Sequence, residues 1–433
     1  MIRKALLLTM LLLSRGLLAQ EMLSLDEAIK IALEKNYGVL ISKNEKAIAK
    51  AQNNLGNAGM SPTISLNASL STANLDSYQE FNTGAIQDRK GATNFGTGAS
   101  INADWTVFDG LRMFAIKKRL NIAEGMSEIA LRQQMENTIY EVILAYYDMV
   151  RSNELIRAAQ QNLLLYEERR KIAQLRLEIG SDSKVDVMLS QSDENRARAG
   201  IIQLELELLN ARVRLNTLLS RSVDTDFKAA DTIVVNYNPA LDELKKSSSS
   251  GNTALLWSRQ NETLFSESIR EARSNNLPFV TVSGAYMFNS TQSQAGFVFL
   301  NRQNGLNAGI TARWMIFNGN RNNRLVKERN LLYLNQRYIT DQVQLAVDGQ
   351  VYVNYQAFLL NKKIVDMEFQ NLRDSREVLN ISLERYRIGK SNLLETIETQ
   401  KNLEDAQVRY INALYSTKLA EAQLLRVNGS LVK

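Results

Sequence analysis

The chain contains neither cysteine nor histidine among its 433 residues. Without cysteine it can form no disulfide, no thiolate metal site and no lipidated cysteine anchor. Without histidine it also lacks the commonest general base and the commonest metal ligand. Enzyme chemistry would have to use carboxylate, lysine, tyrosine or hydroxyl groups alone, so we expect no enzyme, no metal site and no cofactor.

Proline and glycine are scarce, at three and 21 residues. Length alone would suggest about three globular domains. So few turn-forming residues instead predict long, uninterrupted secondary-structure elements. Apolar residues make up 45% of the chain, which is enough to bury a core.

Residues 1–20 have the pattern of a secretory signal peptide, with basic Arg3 and Lys4 followed by a short apolar run. Removing this segment also removes Arg15, so the net charge falls from +6 to +3 by the loss of three basic residues. The remaining charge is small and dispersed, which argues against a nucleic-acid partner. We therefore expect an exported protein without lipidation, in which any membrane crossing uses β-strands.

The sequence repeats itself. A shift of 209 residues superposes Trp105 on Trp314 and Tyr146 on Tyr355, and many other positions match without a gap. Such a long period predicts two similar halves rather than a solenoid. We assign residues 21–232 to a first structural repeat and 233–433 to a second.

Each repeat is predicted to open with a helix. In the first, Ser24 and Glu27 have the spacing of a capping box, and the helix is expected to reach about Asn57. Its counterpart is expected from near Pro239 to about Asn276, with an interruption in the serine-rich stretch 247–250. The next prolines in the sequence, Pro62 and Pro278, are helix-stopping signals.

Alternating apolar and polar residues then predict strands near 62–72, 97–108, 279–289 and 305–317. Each strand is about as long as a tilted strand that crosses a bilayer. Long polar loops are expected at 71–95 and 289–305. The alternation fits a soluble sandwich equally well, but Asp104 and Arg313 on the polar faces favour a water-filled lumen.

Four very long helices are predicted near 110–179, 182–220, 319–388 and 391–428. The tip glycines Gly180 and Gly389 separate the members of each pair, and apolar residues at spacings of three and four predict coiled-coil packing between antiparallel helices. The fold class is therefore mixed α and β, with two helical hairpins and four membrane strands per chain.

Four strands cannot close a membrane barrel, whose lower limit is about eight strands. Several chains must then share one barrel, because an open edge in lipid leaves backbone groups unpaired. Two chains would give eight strands around a filled lumen, whereas three would give twelve around a wet bore. The polar alternate residues favour three chains.

The chain resembles the TolC family of outer-membrane efflux ducts over essentially its whole mature length. The resemblance rests on the tandem halves, on the opening Ser24-Leu25-Asp26-Glu27-Ala28-Ile29, on the paired tips, and on two Trp-x-x-Phe-x-Gly strand-to-helix junctions: Trp105, Phe108, Gly110, Trp314, Phe317 and Gly319. It implies a homotrimer in outer-membrane lipid, with a twelve-stranded β-barrel continued by a twelve-helix α-barrel into the periplasm. It also implies a periplasmic adaptor and an inner-membrane pump as partners.

The resemblance implies roles for residues at the tips. Glu395 and Glu398 stand where the family has acidic residues at the periplasmic entrance. Asp186 and Tyr386 match an aspartate and a tyrosine of the family's tip latch, whereas Ser391, next to Lys390, replaces the latch arginine. The residues expected to contact the adaptor are Arg176, Ile179, Gly180, Arg385, Ile388 and Gly389.

The resemblance implies a passive channel for efflux or type I secretion, energised by the partner pump. The alternative is a trimeric coiled-coil structural or adhesive surface protein with a soluble β head. A third interpretation, an enzyme, would depend on carboxylate pairs such as Glu167 and Glu168, which we expect to be solvated. The transported substrate does not follow from the sequence, because selectivity in such channels belongs largely to the pump.

Overall fold

A computed structural model describes residues 21–230, 232–295 and 298–432. The predicted signal peptide lies outside these ranges. The described chain combines helices and strands, which confirms the mixed α and β class.

Two compact units are present, and each contains parts of both sequence repeats. The first, here called the hairpin unit, comprises the described residues within Met1–Asn44, Ile129–Trp257 and Asp341–Lys433. The second, called the sheet unit, comprises Glu45–Glu128 and the described residues within Ser258–Thr340.

The helices follow the tandem organisation. Those of the first half are α1 (Leu25–Lys35), α2 (Tyr37–Gln52), α3 (Arg112–Glu178) and α4 (Lys184–Leu218). Those of the second half are α5 (Leu241–Gly251), α6 (Thr253–Ser274), α7 (Arg321–Arg387) and α8 (Leu393–Val427). Both α3 and α7 contain 67 residues, and both α4 and α8 contain 35. No described helix is both long and apolar enough to cross a lipid bilayer.

The opening helix of each half is broken at an asparagine, so the prediction of one continuous helix to Asn57 was wrong. Asn36 has extended backbone angles between α1 and α2, and its side chain accepts a hydrogen bond from the Gly38 amide at 2.9 Å. Asn252 does the same between α5 and α6, accepting from the amide of Leu255 at 3.1 Å. Each asparagine therefore ends one helix and caps the next.

The serine-rich stretch does not interrupt its helix, contrary to expectation. Ser247 and Ser248 lie within α5, where their hydroxyls donate to the carbonyls of Leu244 and Lys245. Because these bonds run back along the same helix, the hydroxyls need no break in it.

The main core of the hairpin unit lies where α1 packs against the middle of α3 and the end of α4. Val142, Ala145 and Tyr146 of α3 are fully buried there, together with Leu215 of α4. The Tyr146 hydroxyl donates to the carbonyl of Leu23 at 2.9 Å. Leu23 belongs to β1 (Glu21–Leu23), which pairs in parallel with β4 (Phe227–Ala229).

The sheet unit contains one four-stranded antiparallel sheet in the order β2 (Thr63–Glu80), β3 (Ile86–Phe108), β5 (Phe279–Ser293) and β6 (Leu300–Arg313). Its register places Leu66 opposite Ile101, Ile101 opposite Tyr286, and Tyr286 opposite Leu306. Directly opposed side chains point to the same face of a sheet. The apolar positions of all four strands therefore share one face, and the alternate, mostly polar positions share the other.

The strands differ in extent from those predicted. Pairing of β2 with β3 continues to Glu80 and Ile86, so most of the expected loop 71–95 is strand. Pairing of β5 with β6 likewise reaches Gln292 and Leu300, within the expected loop 289–305. These extensions are rich in serine, threonine and asparagine, which hide the alternation from hydropathy although the backbone still forms its ladder.

The fourth strand also ends earlier than predicted, at Arg313 instead of 317. Arg313 pairs with Phe279, the first residue of β5 after Pro278, and the residues after Arg313 have no ladder partner in the described part of the chain. In the first half, Phe108 still pairs with Val280. The neighbouring strand, rather than the repeated motif, decides where each strand ends.

Candidate functional site

The tips of the two helical hairpins carry the residues that the sequence singled out, and both lie in the hairpin unit. Each tip begins with a glycine in the left-handed region, Gly180 at φ +76° and Gly389 at φ +78°. The amides of Ser181 and Lys390 donate at 2.8 Å to the carbonyls of Arg176 and Arg385. This Schellman pattern explains why glycine ends both long helices, since a side chain would strain the backbone.

The return helix of each hairpin starts with a side-chain cap. The Ser183 hydroxyl accepts from the Asp186 amide, and the Asp186 carboxylate accepts from the Ser183 amide at 2.9 Å. In the second tip, Asn392 accepts from the Glu395 amide at 2.9 Å. These caps fix the two turns independently of each other.

Three side chains join the tips to one another, and we call them the tip link: Arg176, Asp182 and Tyr386. Arg176 Nε donates to Asp182 Oδ1 at 2.9 Å, and the Tyr386 hydroxyl donates to Asp182 Oδ2 at 2.6 Å. Arg176 also donates to the Tyr386 carbonyl at 2.9 Å, and its guanidinium lies 4.9 Å from the centre of the Tyr386 ring. Each member therefore contacts both others.

The tip link is well shielded from water, which strengthens its interactions. Tyr386 is fully buried beside Ile172 and Leu393. Burial alone would raise the pKa of Asp182, but the hydrogen bonds from Arg176 and Tyr386 outweigh it and hold that pKa below its ordinary value. Burial and the bond to Asp182 raise the pKa of Tyr386. At neutral pH Asp182 is therefore ionised, and Tyr386 keeps the proton that it donates.

The residues predicted for a latch are placed as follows. Tyr386 binds Asp182, while Asp186 caps its own helix α4. The Lys390 amide takes part in the glycine turn, and the hydroxyl of Ser391 contacts the carbonyl of Asn392 at 3.4 Å. The assignment of Asp186, Lys390 and Ser391 to a latch remains a prediction.

The two predicted entrance glutamates lie near the start of α8, Glu395 in its first turn and Glu398 in its second. The Glu395 carboxylate is 3.4 Å from Arg385, and Glu398 is exposed. Their separation of three residues puts both carboxylates on one side of the helix. The ring that we expect these glutamates to form in an assembly remains a prediction.

Each tip exposes a large apolar side chain. Ile179 and Ile388, next to the two glycines, are 76% and 63% exposed, although both are large aliphatic side chains. On α3 a groove continues from Ile179 past Leu175 to Leu164, with a volume of about 750 Å³. Arg387 borders this groove and pairs with Glu168 at 2.6 Å.

Sequence reasoning missed Asp182, Leu175 and the pair of Arg387 with Glu168. Asp182 could have been found from the glycine turn, because the Schellman pattern brings the residue two positions after the glycine back over Arg176. Its bond to Tyr386 could not, since 204 residues separate the two.

The two strand-to-helix junctions lie in the sheet unit and share a geometry. The indole nitrogens of Trp105 and Trp314 donate to the carbonyls of Met60 and Asn276, at 2.9 and 3.0 Å. Gly110 and Gly319 have positive φ, as do the residues that follow them. A side chain at Gly110 would also collide with the Ser274 carbonyl, which lies against the glycine backbone. Phe108 is partly buried, and Phe317 is exposed.

Comparison with known proteins places these features in a family. The family model described as "Outer membrane efflux protein" matches residues 28–221 and 246–430. The chain is similar to the outer membrane efflux protein BepC of Brucella suis, with 19% identity over 347 residues, 78% of this chain and 74% of BepC. It is also 20% identical to the outer membrane protein TolC of Vibrio cholerae over 316 residues, 70% of each chain.

Among solved structures, the chain is similar to the CmeC outer membrane channel of Campylobacter jejuni. The TM-score is 0.77 at 16% identity, covering 94% of this chain and 85% of CmeC. At that identity the likeness shows the shared fold. The family match spans most of the chain and both repeats, and we conclude that the chain belongs to the outer membrane efflux protein family.

Proposed function

We propose that this protein is the outer-membrane channel of a tripartite efflux or type I secretion system. It would act as a passive conduit from periplasm to exterior, energised by an inner-membrane pump through a periplasmic adaptor. Members of its family are channels rather than enzymes, which supports this proposal.

The exposed apolar face of the four-stranded sheet carries the argument. Leu66, Leu306 and Ile310 are all more than 70% exposed, although each belongs to a regular strand. The register gathers these side chains on one side of the sheet, opposite a face that includes Asn102, Asp104 and Asn307. A sheet with one apolar and one polar face suits a wall between lipid and water.

The same sheet supports assembly from several chains. Among the strands that the structure describes, β2 and β6 pair on one side only, so each has a free edge. Free edges in lipid would leave amide and carbonyl groups unpaired, at a cost of several kcal/mol for each group. Three chains that join β6 to β2 would close a twelve-stranded barrel and remove every edge.

The alternative, a trimeric adhesive protein with a soluble β head, accounts less well for this face. In water the sheet would display aliphatic side chains along four neighbouring strands, which favours aggregation. In lipid the same side chains are in their preferred surroundings. The sheet therefore favours the channel.

The tips complete the proposal. The exposed Ile179 and Ile388, with the glycine turns beside them, would contact the adaptor. Glu395 and Glu398 of three chains would form two acidic rings at the periplasmic entrance. Such rings favour cations by close like-charge repulsion and field focusing.

A matched pair of arginine substitutions tests the channel. Ile101 lies on the apolar face, and the adjacent Asn102 lies on the polar face. Ile101→Arg should prevent stable insertion, since an arginine that faces lipid costs about 2–4 kcal/mol at mid-membrane. Asn102→Arg should assemble as the wild type does. The measurements are recovery of a heat-stable trimer from outer membranes and ion conductance in planar bilayers.

Recovery of the wild-type protein as a monomer in the soluble periplasmic fraction would refute the proposal. Equal behaviour of the two variants, both inserted or both soluble, would show that the sheet does not separate lipid from water.

A further inference from the structure

A pocket in the sheet unit lies directly beside the first strand-to-helix junction, and we call it the junction pocket. It has a volume of about 390 Å³ and is formed by the start of α3, the end of α6 and Leu277, which lies three residues beyond α6. Gly110 forms its edge, where the backbone of this glycine approaches the Ser274 carbonyl. The pocket is therefore fixed in place by the turn that ends β3.

The pocket combines exposed apolar side chains with basic ones. Leu111, Phe114 and Leu277 are 55%, 59% and 43% exposed around it. Lys118, Arg270 and Arg273 border the same space.

One carboxylate pairs with two of these three cations. Glu267, of which only 2% of the side chain is exposed, lies 2.8 Å from Lys118 and 3.2 Å from Arg270. Arg273 is exposed and has no ion-pair partner among the residues that the structure describes. The charges at the pocket therefore sum to +2, which favours an anionic ligand.

We propose that the junction pocket binds an anionic phospholipid of the membrane leaflet next to the helices. Its phosphate would be held by Arg270 and Arg273, and the upper part of an acyl chain would lie against Leu111 and Phe114. This inference rests on the proposed function, because it requires the sheet to span a membrane. The strand-to-helix junction would then lie at the lipid surface.

The pairing of charge with apolar surface selects the ligand. A free phosphate ion would use the guanidinium groups alone and leave Phe114 in water. A phospholipid uses both parts of the pocket, as basic residues beside apolar side chains commonly do at membrane surfaces. A zwitterionic lipid lacks the net charge that complements the pocket.

The test is native mass spectrometry of the purified full-length assembly with added lipid. Wild type should bind phosphatidylglycerol in preference to phosphatidylcholine. Arg270→Gln with Arg273→Gln should weaken phosphatidylglycerol binding by about 25-fold, since each basic residue near an anionic lipid surface contributes about fivefold. Lys245→Gln with Lys246→Gln removes two exposed charges from α5 and should leave binding unchanged.

Two further variants separate the possible outcomes. Arg273→Gln alone should still weaken binding, and it breaks no ion pair among the described residues. Phe114→Ser should weaken the binding of phosphatidylglycerol. It should leave the binding of inorganic phosphate unchanged. If phosphate alone competes fully with the lipid and Phe114→Ser has no effect, the site is an ion site and the proposal is wrong.

The proposed function is checked on the same samples. A wild type that inserts and conducts but binds both lipids equally would overturn only the lipid inference. A wild type that neither inserts nor conducts would overturn the channel itself.

Discussion

The two helical hairpins have the same backbone at their tips but different side-chain bonding. The 209-residue shift superposes Arg176 on Arg385, and both sit at the start of a glycine turn closed by a 2.8 Å hydrogen bond. Arg176 is bound by Asp182 and only 13% of its side chain is exposed, whereas Arg385 is 52% exposed. The second tip has Ser391 where the first has Asp182.

This difference shows what repetition preserves. The turn depends on glycine and on backbone bonds, which each half supplies for itself. The side-chain bonds depend on the neighbouring hairpin, and the neighbours are not equivalent. The first tip holds the second through Asp182 and Tyr386, and the second offers no carboxylate at the matching position.

The largest expected effect comes from making both tips bulky. Gly180→Trp with Gly389→Trp should abolish export, because both glycines are exposed and the indoles would obstruct the adaptor contact that we propose. Trimer assembly should persist. The measurement is export in cells alongside trimer recovery from membranes.

The matched control is Gly180→Ala with Gly389→Ala, which imposes similar backbone strain without the bulk. It should retain most export. Normal export by the tryptophan variant would show that the tips do not contact the adaptor.

Removing the tip-link carboxylate should make the first tip resemble the second. Asp182→Asn leaves Arg176 shielded without an ionised partner and should destabilise the tips by about 3 kcal/mol. Ser391→Asn, at the equivalent position, should have little effect. Urea unfolding followed by circular dichroism measures the stability.

The same pair of variants reports on gating. If the tip link holds the hairpins together, Asp182→Asn should raise the open probability in planar bilayers, and Ser391→Asn should not. Equal stability and equal open probability of the two variants would show that the tips are functionally equivalent after all.

The two glutamates that we predict at the entrance mark a further difference between the halves. Glu395 and Glu398 correspond to Asp186 and Leu189 in the first half, so only the second half carries two acidic residues there. Glu395→Gln with Glu398→Gln should weaken block by multivalent cations by roughly tenfold, because the converging charge is lost. Opening at rest should change little.

The control for this variant is Glu178→Gln with Glu377→Gln, which neutralises two exposed carboxylates on α3 and α7. Reversal potential and trivalent-cation block are measured on all three proteins. Identical selectivity and block in wild type and the entrance variant would place Glu395 and Glu398 outside the bore.

The smallest effect is the pH dependence of the tip link. The folded pKa of Asp182 lies below its unfolded value, so its contribution to stability is fully present above about pH 4. That contribution is lost as the pH falls through the lowered folded pKa. The stability difference between wild type and Asp182→Asn should therefore shrink only below about pH 4, which unfolding midpoints from pH 2 to 7 would reveal. A difference that is lost between pH 5 and 7 would contradict this account of Asp182.

Much of the molecule could be read from the sequence because its signals are local. Glycine at Gly180 and Gly389 permits a backbone conformation that other residues avoid, so the ends of α3 and α7 could be predicted to within two residues. The breaks at Asn36 and Asn252 were missed, although their signals are also local. An asparagine inside a helical pattern of apolar residues looks like an exposed residue of a continuous helix. Asn36 and Asn252 instead each cap the helix that follows them.

The sequence by itself determined the tandem halves, the long hairpins and the alternation of the strands, since each follows from residue spacing along one segment. Only the tertiary structure decided the pairs that join distant segments. The bond of Tyr386 to Asp182, the end of β6 at Arg313 and the junction pocket all depend on which element lies alongside. Hydrogen bonds and burial act between neighbours in space, and a single sequence does not specify those neighbours.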